Sequence, residues 1–578
     1  MGFRRCGPTA AVSKVNDVTD VTDVTEAAIP ETTRWSVPVT VESLLVVAGL
    51  FWALTANTNF FDAALRERPL SEPATWGFAL ALAAMLVTLH FLLLGLVCNR
   101  WTVKPVLVVL IIGTAVATHF MQSFGVYLDP SMLRNTLRTD MGEARELWSW
   151  RLLPHLTVYA ALPLLMLWRV RLVHRPWVRA SVVRVGSLLL AVAVFVGVLM
   201  LVFQSFSSLM RNHKEIRYLA TPANYLWSIA AVAAAQAKGA AMPQQAIGLD
   251  AAPGPRMAVR TKPLLVVLVV GETARAANWG LNGYARQTTP ELARLPVVNF
   301  TDVTACGTNT EVSLPCMFAP VGRRDYDEAQ VRGSQSLLHV LVRAGVDVHW
   351  RDNQSGCKGV CEGLSQDDVV SLNPPGLCFD GRCLDEGLLT GLDERLLRLK
   401  GKGGANATSL LVLHPLGNHG PSYFRRYPAA FARFGPACQN DDLRKCSREE
   451  IVNAYDNALL YTDHVLASLI AKLQARAGEV DSVMLYVSDH GESLGENNLY
   501  LHGLPFAIAP DVQKRVPMVA WFSAGAPAQL GIDEACLQRR AAQPLLHDHL
   551  FHTLLAWMAV KTALYEPAWD LSQACRTP

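Results

Sequence analysis

The sequence predicts a two-part protein: a multi-pass helical membrane domain of five spans, followed by an α/β domain with a mostly parallel sheet. Three observations predict it. Long apolar runs crowd into the first ~215 of 578 residues, although mean hydropathy over the whole chain is only +0.21. Beyond residue 263, short apolar runs alternate with helical patterns, which favours parallel strands covered by helices. Ten of the twelve cysteines fall between Cys306 and Cys575, an even set at close spacing that points to disulfides and an oxidising compartment. No CxxC pair is present to support zinc ribbons instead.

Residues 1–35 are polar and carry Asp-Val-Thr three times between Asp17 and Thr25. Without an apolar run they are no signal peptide, and they read as a disordered cytoplasmic tail. Residues 36–215 form the membrane domain, with spans expected at 37–54, 75–97, 106–124, 152–168 and 185–203. The loop with Arg100 and Lys104, and that with Arg169, Arg171, Arg175 and Arg179, hold no acid and are therefore cytoplasmic. The loop after the third span mixes Arg134, Arg138 and Arg145 with Asp129, Asp140, Glu143 and Glu146. Five crossings leave the N-terminus inside and the C-terminal half outside, in agreement with the cysteine distribution. His90, His119 and His155 fall in or near spans and are assigned no role.

Residues 216–262 read as a bridging helix and an Ala/Pro/Gly-rich linker. Residues 263–578 form the soluble domain, with strands expected at 263–270, 346–350, 409–413, 482–487 and 518–522. A net charge of +3 with no long basic run argues against nucleic-acid binding.

Ligands of such sheets gather beyond the carboxyl ends of the strands. There the sequence places Gly271-Glu272-Thr273, His414 with Gly417-Asn418-His419-Gly420-Pro421, and Ser488-Asp489-His490-Gly491-Glu492; His502 follows twelve residues after His490. Carboxylates and imidazoles at several strand ends suit zinc. The stretch Val303 to Ser313 reads as a loop entering a helix. Its hydroxyls are either N-caps or, at a helix start beside a metal, a nucleophile for phosphorus.

The chain resembles the phosphoethanolamine transferases of Gram-negative inner membranes, a group that includes lipid A enzymes and mobile colistin-resistance enzymes. The resemblance is carried by Val270-Gly271-Glu272-Thr273-Ala274-Arg275, Gly283-Tyr284, Cys306-Gly307-Thr308-Asn309-Thr310, Ser313-Leu314-Pro315-Cys316-Met317-Phe318, His419-Gly420-Pro421 and Ser488-Asp489-His490-Gly491-Glu492-Ser493. It extends from about residue 37 and excludes the tail. It implies an alkaline-phosphatase/sulfatase-like fold, with Thr310 as nucleophile and Glu272, Thr310, Asp489 and His490 as ligands of one zinc. His419 and His502 are implied either to hold a second zinc or to protonate the leaving group. Lys358, Ser313, His419 and His502 are the implied substrate contacts. The implied donor is phosphatidylethanolamine, the acceptor a lipid A phosphate, and the consequence polymyxin resistance.

The resemblance also implies the disulfides Cys306–Cys316, Cys357–Cys361, Cys378–Cys383 and Cys438–Cys446; the remaining Cys536 and Cys575 are expected to pair. Residues 132–137 and 57–61 resemble loops that face the site and are expected to touch lipid. Asn418, Ala305 and Ala319 stand where the family commonly has Ser, and none is an implied ligand. The alternatives are another envelope acceptor, such as a core sugar or glycan, or a hydrolase of the same fold. Against a sulfatase, Ser313-Leu314-Pro315-Cys316-Met317 lacks the Arg of the Cys/Ser-x-Pro-x-Arg motif.

Overall fold

The computed structural model describes residues 36–577 except 67, 140, 242, 243 and 380. The tail reading of residues 1–35 lies outside the described residues.

The membrane half is built from α1 (Val41–Thr55), α2 (Thr58–Leu65), α3 (Pro73–Val97), α4 (Val103–Phe124), α5 (Pro130–Arg138), α6 (Leu152–Arg169) and α7 (Trp177–Leu201). Among the described residues four helices are long and apolar enough to cross a membrane, or five if the bent pair α1–α2 counts as one span. Leu80, Leu96, Leu189 and Leu201 point outward and exposed, as side chains facing lipid do.

The first span differs from the expected 37–54. Val37–Val39 pairs as a short parallel strand with Val170–Leu172, and the Thr40 side chain caps α1 by accepting from Ser43 N–H. At the other end α1 and α2 bend by 58°. Asn57, fully buried at the bend, donates to the carbonyls of Trp52 and Thr221 and accepts from Thr221 N–H, which ties the bend to the segment before α9. Beyond α7 run α8 (Phe203–Asn212) and α9 (Ala223–Ala241).

The soluble half is centred on an eight-stranded sheet: β1 (Leu264–Gly271), β2 (Val298–Thr304), β3 (Asp347–Asp352), β4 (Gln366–Asp368), β5 (Thr408–His414), β6 (Asp481–Ser488), β7 (Arg515–Phe522) and β8 (Leu545–Leu546). Their order is β8-β2-β7-β6-β1-β5-β3-β4. The run β6-β1-β5-β3-β4 is parallel, whereas β7 is antiparallel to both β6 and β2. β1 and β6 are buried at every position, which is why they read as continuous apolar runs. The five expected strands are present; β2, β4 and β8 were not expected, being short or interrupted by polar residues. Separate apolar clusters cover the two faces of the sheet; one takes in the short helix α10 (Thr310–Met317) and the other the long helix α11 (Arg448–Ala475). Disulfides join Cys306–Cys316, Cys357–Cys361, Cys378–Cys383, Cys438–Cys446 and Cys536–Cys575.

The mixed-charge loop after α4 binds the two halves together. Arg134 pairs with Glu328, and Arg138 lies 3.2 Å from the fully buried Glu311. Glu146, 2% exposed, pairs with Arg382 and with Arg426 (2.6 Å), and Arg151 reaches Asp442 at 3.3 Å.

Candidate active site

Two neighbouring parallel strand ends and a helix start converge on one buried cluster. Glu272 follows β1, Asp489 and His490 follow β6, and the hydrogen bond from Asp489 N–H to the Gly271 carbonyl locks the two ends together (2.8 Å). Thr310 comes from a different layer, as the first residue of α10. Asn309, not a threonine, is the N-cap: its side chain accepts from Val312 N–H. The Thr310 hydroxyl is therefore released from capping duty. Its Oγ1 stands 3.1 Å from Glu272 Oε2 and 3.4 Å from His490 Nε2.

The cluster has the chemistry of a cation site. One ligand atom from each of Glu272, Asp489 and His490 lies within 4.8 Å of the others, and all three residues are buried. His490 Nε2 is 3.2 Å from Glu272 Oε1 and 3.4 Å from Asp489 Oδ2. His490 Nδ1 is 2.9 Å from the Gly491 carbonyl, which holds a proton on Nδ1 and leaves Nε2 facing the two carboxylates. Asp489 Oδ2 is buried and makes no hydrogen bond. A buried acceptor left so is costly and asks for a positive partner.

The electrostatics agree. Burial opposes charge on Glu272, yet His490 beside it holds the carboxyl well below its usual range. Burial, then the Glu272 charge, push Asp489 up to about 6. Burial works against a charged His490, but Asp489 and Glu272 outweigh it and push the imidazole up to about 10. Two buried carboxylates competing for one cationic partner fit a divalent ion.

The remaining expected residues surround this core. Glu272, His419 and His502 form a second group within 4.8 Å, so Glu272 is shared. The His502 ring centroid lies 4.3 Å from that of His490 and 5.5 Å from that of His419. Ser313 is fully buried and its hydroxyl donates to the Asp489 carbonyl (2.5 Å), tying α10 to the loop after β6. Lys358 sits in the loop after β3, its Nζ 2.6 Å from Ser355 Oγ and 4.0 Å from Glu311 Oε1.

Sequence reasoning assigned no role to three participants. Gln354 donates to Glu272 Oε2 at 2.5 Å. Glu492 accepts from Tyr423 O–H on one oxygen (2.5 Å) and meets His502 Nδ1 on the other (2.8 Å). Asp352, at the end of β3, pairs with His414 at 2.7 Å. Gln354 and Asp352 carried the same strand-end signal that found Glu272.

Comparison with known proteins identifies the family. Residues 86–237 match the family described as phosphoethanolamine transferase EptA/EptB, and residues 265–560 match the sulfatase family. Phosphoethanolamine transferase EptA of Salmonella typhimurium is 35% identical over 537 residues, covering 92% of this chain and 96% of its own. Phosphatidylethanolamine transferase Mcr-1 of Escherichia coli is 37% identical over 522 residues, covering 89% and 94%. Among solved structures, the integral membrane lipooligosaccharide phosphoethanolamine transferase A of Neisseria meningitidis superposes with a TM-score of 0.87 at 36% identity, over 94% of this chain and 100% of its own. Membrane spans, a sulfatase-like soluble half and relatives matched over nearly their whole length lead to one conclusion: this chain belongs to the phosphoethanolamine transferase family.

Proposed function

We propose that this chain is a zinc-dependent enzyme of the inner membrane that moves phosphoethanolamine from phosphatidylethanolamine to a phosphate of lipid A, through an ester on Thr310. The observation that carries the reading is the Thr310 hydroxyl, freed from capping and held against Glu272 and His490. Glu272, Asp489, His490 and Thr310 would hold one zinc, and His419 and His502 with Glu272 could serve a second. Bound zinc supplies the Lewis acidity that brings a hydroxyl toward ionisation near neutral pH.

In the first step Thr310 Oγ1 passes its proton to Glu272 Oε2, 3.1 Å away, and attacks the donor phosphorus as the bond to the diacylglycerol oxygen breaks; the proton returns when Oγ1 leaves in the second step. His419 or His502 gives that oxygen its proton, as an imidazole can near neutral pH. Glu492 orients His502 for this task by its contact to Nδ1. In the second step an oxygen of the lipid A phosphate attacks the same phosphorus, and Thr310 Oγ1 leaves. The N-terminus of α10 and Lys358 face the negative charge that gathers in both steps. Ser313 serves by position, holding α10 to the Asp489 loop.

The acyl chains of both substrates account for the membrane half, which brings the site to them in two dimensions. The disulfides and basic cytoplasmic loops favour the periplasmic side for the catalytic half. The product carries an added amine on an anionic phosphate, which weakens the surface attraction for polymyxin and other cationic peptides.

The test is lipid A mass spectrometry from cells expressing either the wild-type chain or Thr310→Ala. The variant should lose at least about a thousandfold in transfer. Undiminished phosphoethanolamine on lipid A from the variant would overturn the reading. Free phosphoethanolamine in place of modified lipid A would identify a hydrolase.

A further inference from the structure

A cavity of about 700 Å³ lies between the two halves, walled by α2, the end of α4, α8 and the segment 497–510. We propose that it is the subsite for the sugar portion of the glycolipid acceptor, an inference that rests on the transfer reaction above.

Size is the first argument. A donor headgroup of one phosphate and one ethanolamine would leave most of this space empty. The volume equals that of roughly twenty waters and falls in the ~300–1,000 Å³ range of whole-ligand pockets, which suits a disaccharide.

Chemistry is the second. The lining is rich in amides and hydroxyls: Asn59, Gln122, Ser205, Ser208, Asn212 and Asn498. Its formal charges balance, with Arg66 and Arg68 against Asp62 and Glu215, so no excess positive field draws a phosphate here. An uncharged, many-hydroxyl group matches such a lining, and the reacting phosphate is left to the Thr310 cluster.

Position is the third. Leu499 and Leu504 belong to the cavity wall, while His502 between them belongs to the active site. The Leu504 carbonyl accepts from Thr308 Oγ1 (2.6 Å), and Gly503 N–H donates to the Thr308 carbonyl (2.8 Å), two residues before Thr310. The cavity therefore shares a wall with the nucleophile loop. It also lies beside the ends of membrane helices, where lipid headgroups sit.

The test separates the two half-reactions. Full-length wild type and the cavity-filling variants Ser205→Trp and Ser208→Trp are given labelled phosphatidylethanolamine in detergent micelles, with and without purified lipid A. Without acceptor, the single equivalent of diacylglycerol and the mass increase on Thr310 should stay within about twofold of wild type, which also reports that the variants fold. With acceptor, transfer should fall at least tenfold, chiefly through a raised KM for lipid A. The milder Gln122→Ala should shift that KM in the same direction by a smaller factor. Equal loss of both half-reactions, or no change in either, would overturn the subsite. Absence of diacylglycerol release from the wild type would instead overturn the transfer reaction itself.

Discussion

Beside the cluster, the buried pair Asp352–His414 gives a pH signature. Burial opposes charge on both, but their mutual hydrogen bond and attraction hold Asp352 down to about 2 and push His414 above its ordinary 6.5. Above pH 3.8 and below 6.5 both are charged in the folded and unfolded states, and the pair contributes fully. As pH rises past 6.5 the unfolded His414 loses its proton first, so the contribution shrinks. It shrinks again below 3.8, where the unfolded Asp352 protonates. Asp352→Asn should therefore lower the Tm by several degrees more at pH 6 than at pH 9, as scanning fluorimetry of the detergent-solubilised protein would show. An equal loss at both pH values would count against the charged pair.

Among the elements, the loop from α5 to α6 does most to join the halves. Glu146 neutralises Arg426, itself only 1% exposed at the side chain, and Arg426 Nε donates to the His419 carbonyl at 2.7 Å. Glu146→Ala would remove the carboxylate that faces this buried guanidinium, a loss of about 3–5 kcal/mol in comparable sites. Hydrogen exchange should quicken across residues 129–151 and around His419, with the β1–β6 core unchanged. The charges of this loop were plain in the sequence, but their partners were not. Glu311, Glu328, Arg426 and Asp442 lie hundreds of residues away, and no local pattern encodes such pairings. The same limit explains why Gln354 and Glu492 were given no role while Glu272, Asp489 and His490 were. All of them lie just past strands, but the roles of Gln354 and Glu492 come from contacts to Glu272 and His502 that form only on folding. The bend between α1 and α2 was hidden for a related reason, since the Asn57 side chain at the bend is held by the backbone of Thr221, 164 residues further on.

For the molecule as a whole, the proposed zinc, held by Glu272, Asp489, His490 and Thr310, would belong to stability as well as chemistry. Ligand binding to the folded state alone adds about 2.7 kcal/mol at a hundredfold excess over Kd. Dialysis against a chelator should abolish transfer and lower the Tm. Zinc should restore both, whereas magnesium, which prefers oxygen ligands, should restore neither. Recovery with magnesium would reassign the site.

The covalent cross-links carry a different consequence. Cys306–Cys316 closes a ring with Thr310 inside it, and Cys357–Cys361 closes another around Lys358. Both rings are small, while the sheet beneath them is secured by its own apolar packing. A dithiol reductant should hence silence turnover at doses that leave the far-ultraviolet circular dichroism intact. Under the proposed function, a cell that fails to oxidise its exported thiols would keep the folded sheet of this protein yet lose its protection against polymyxin.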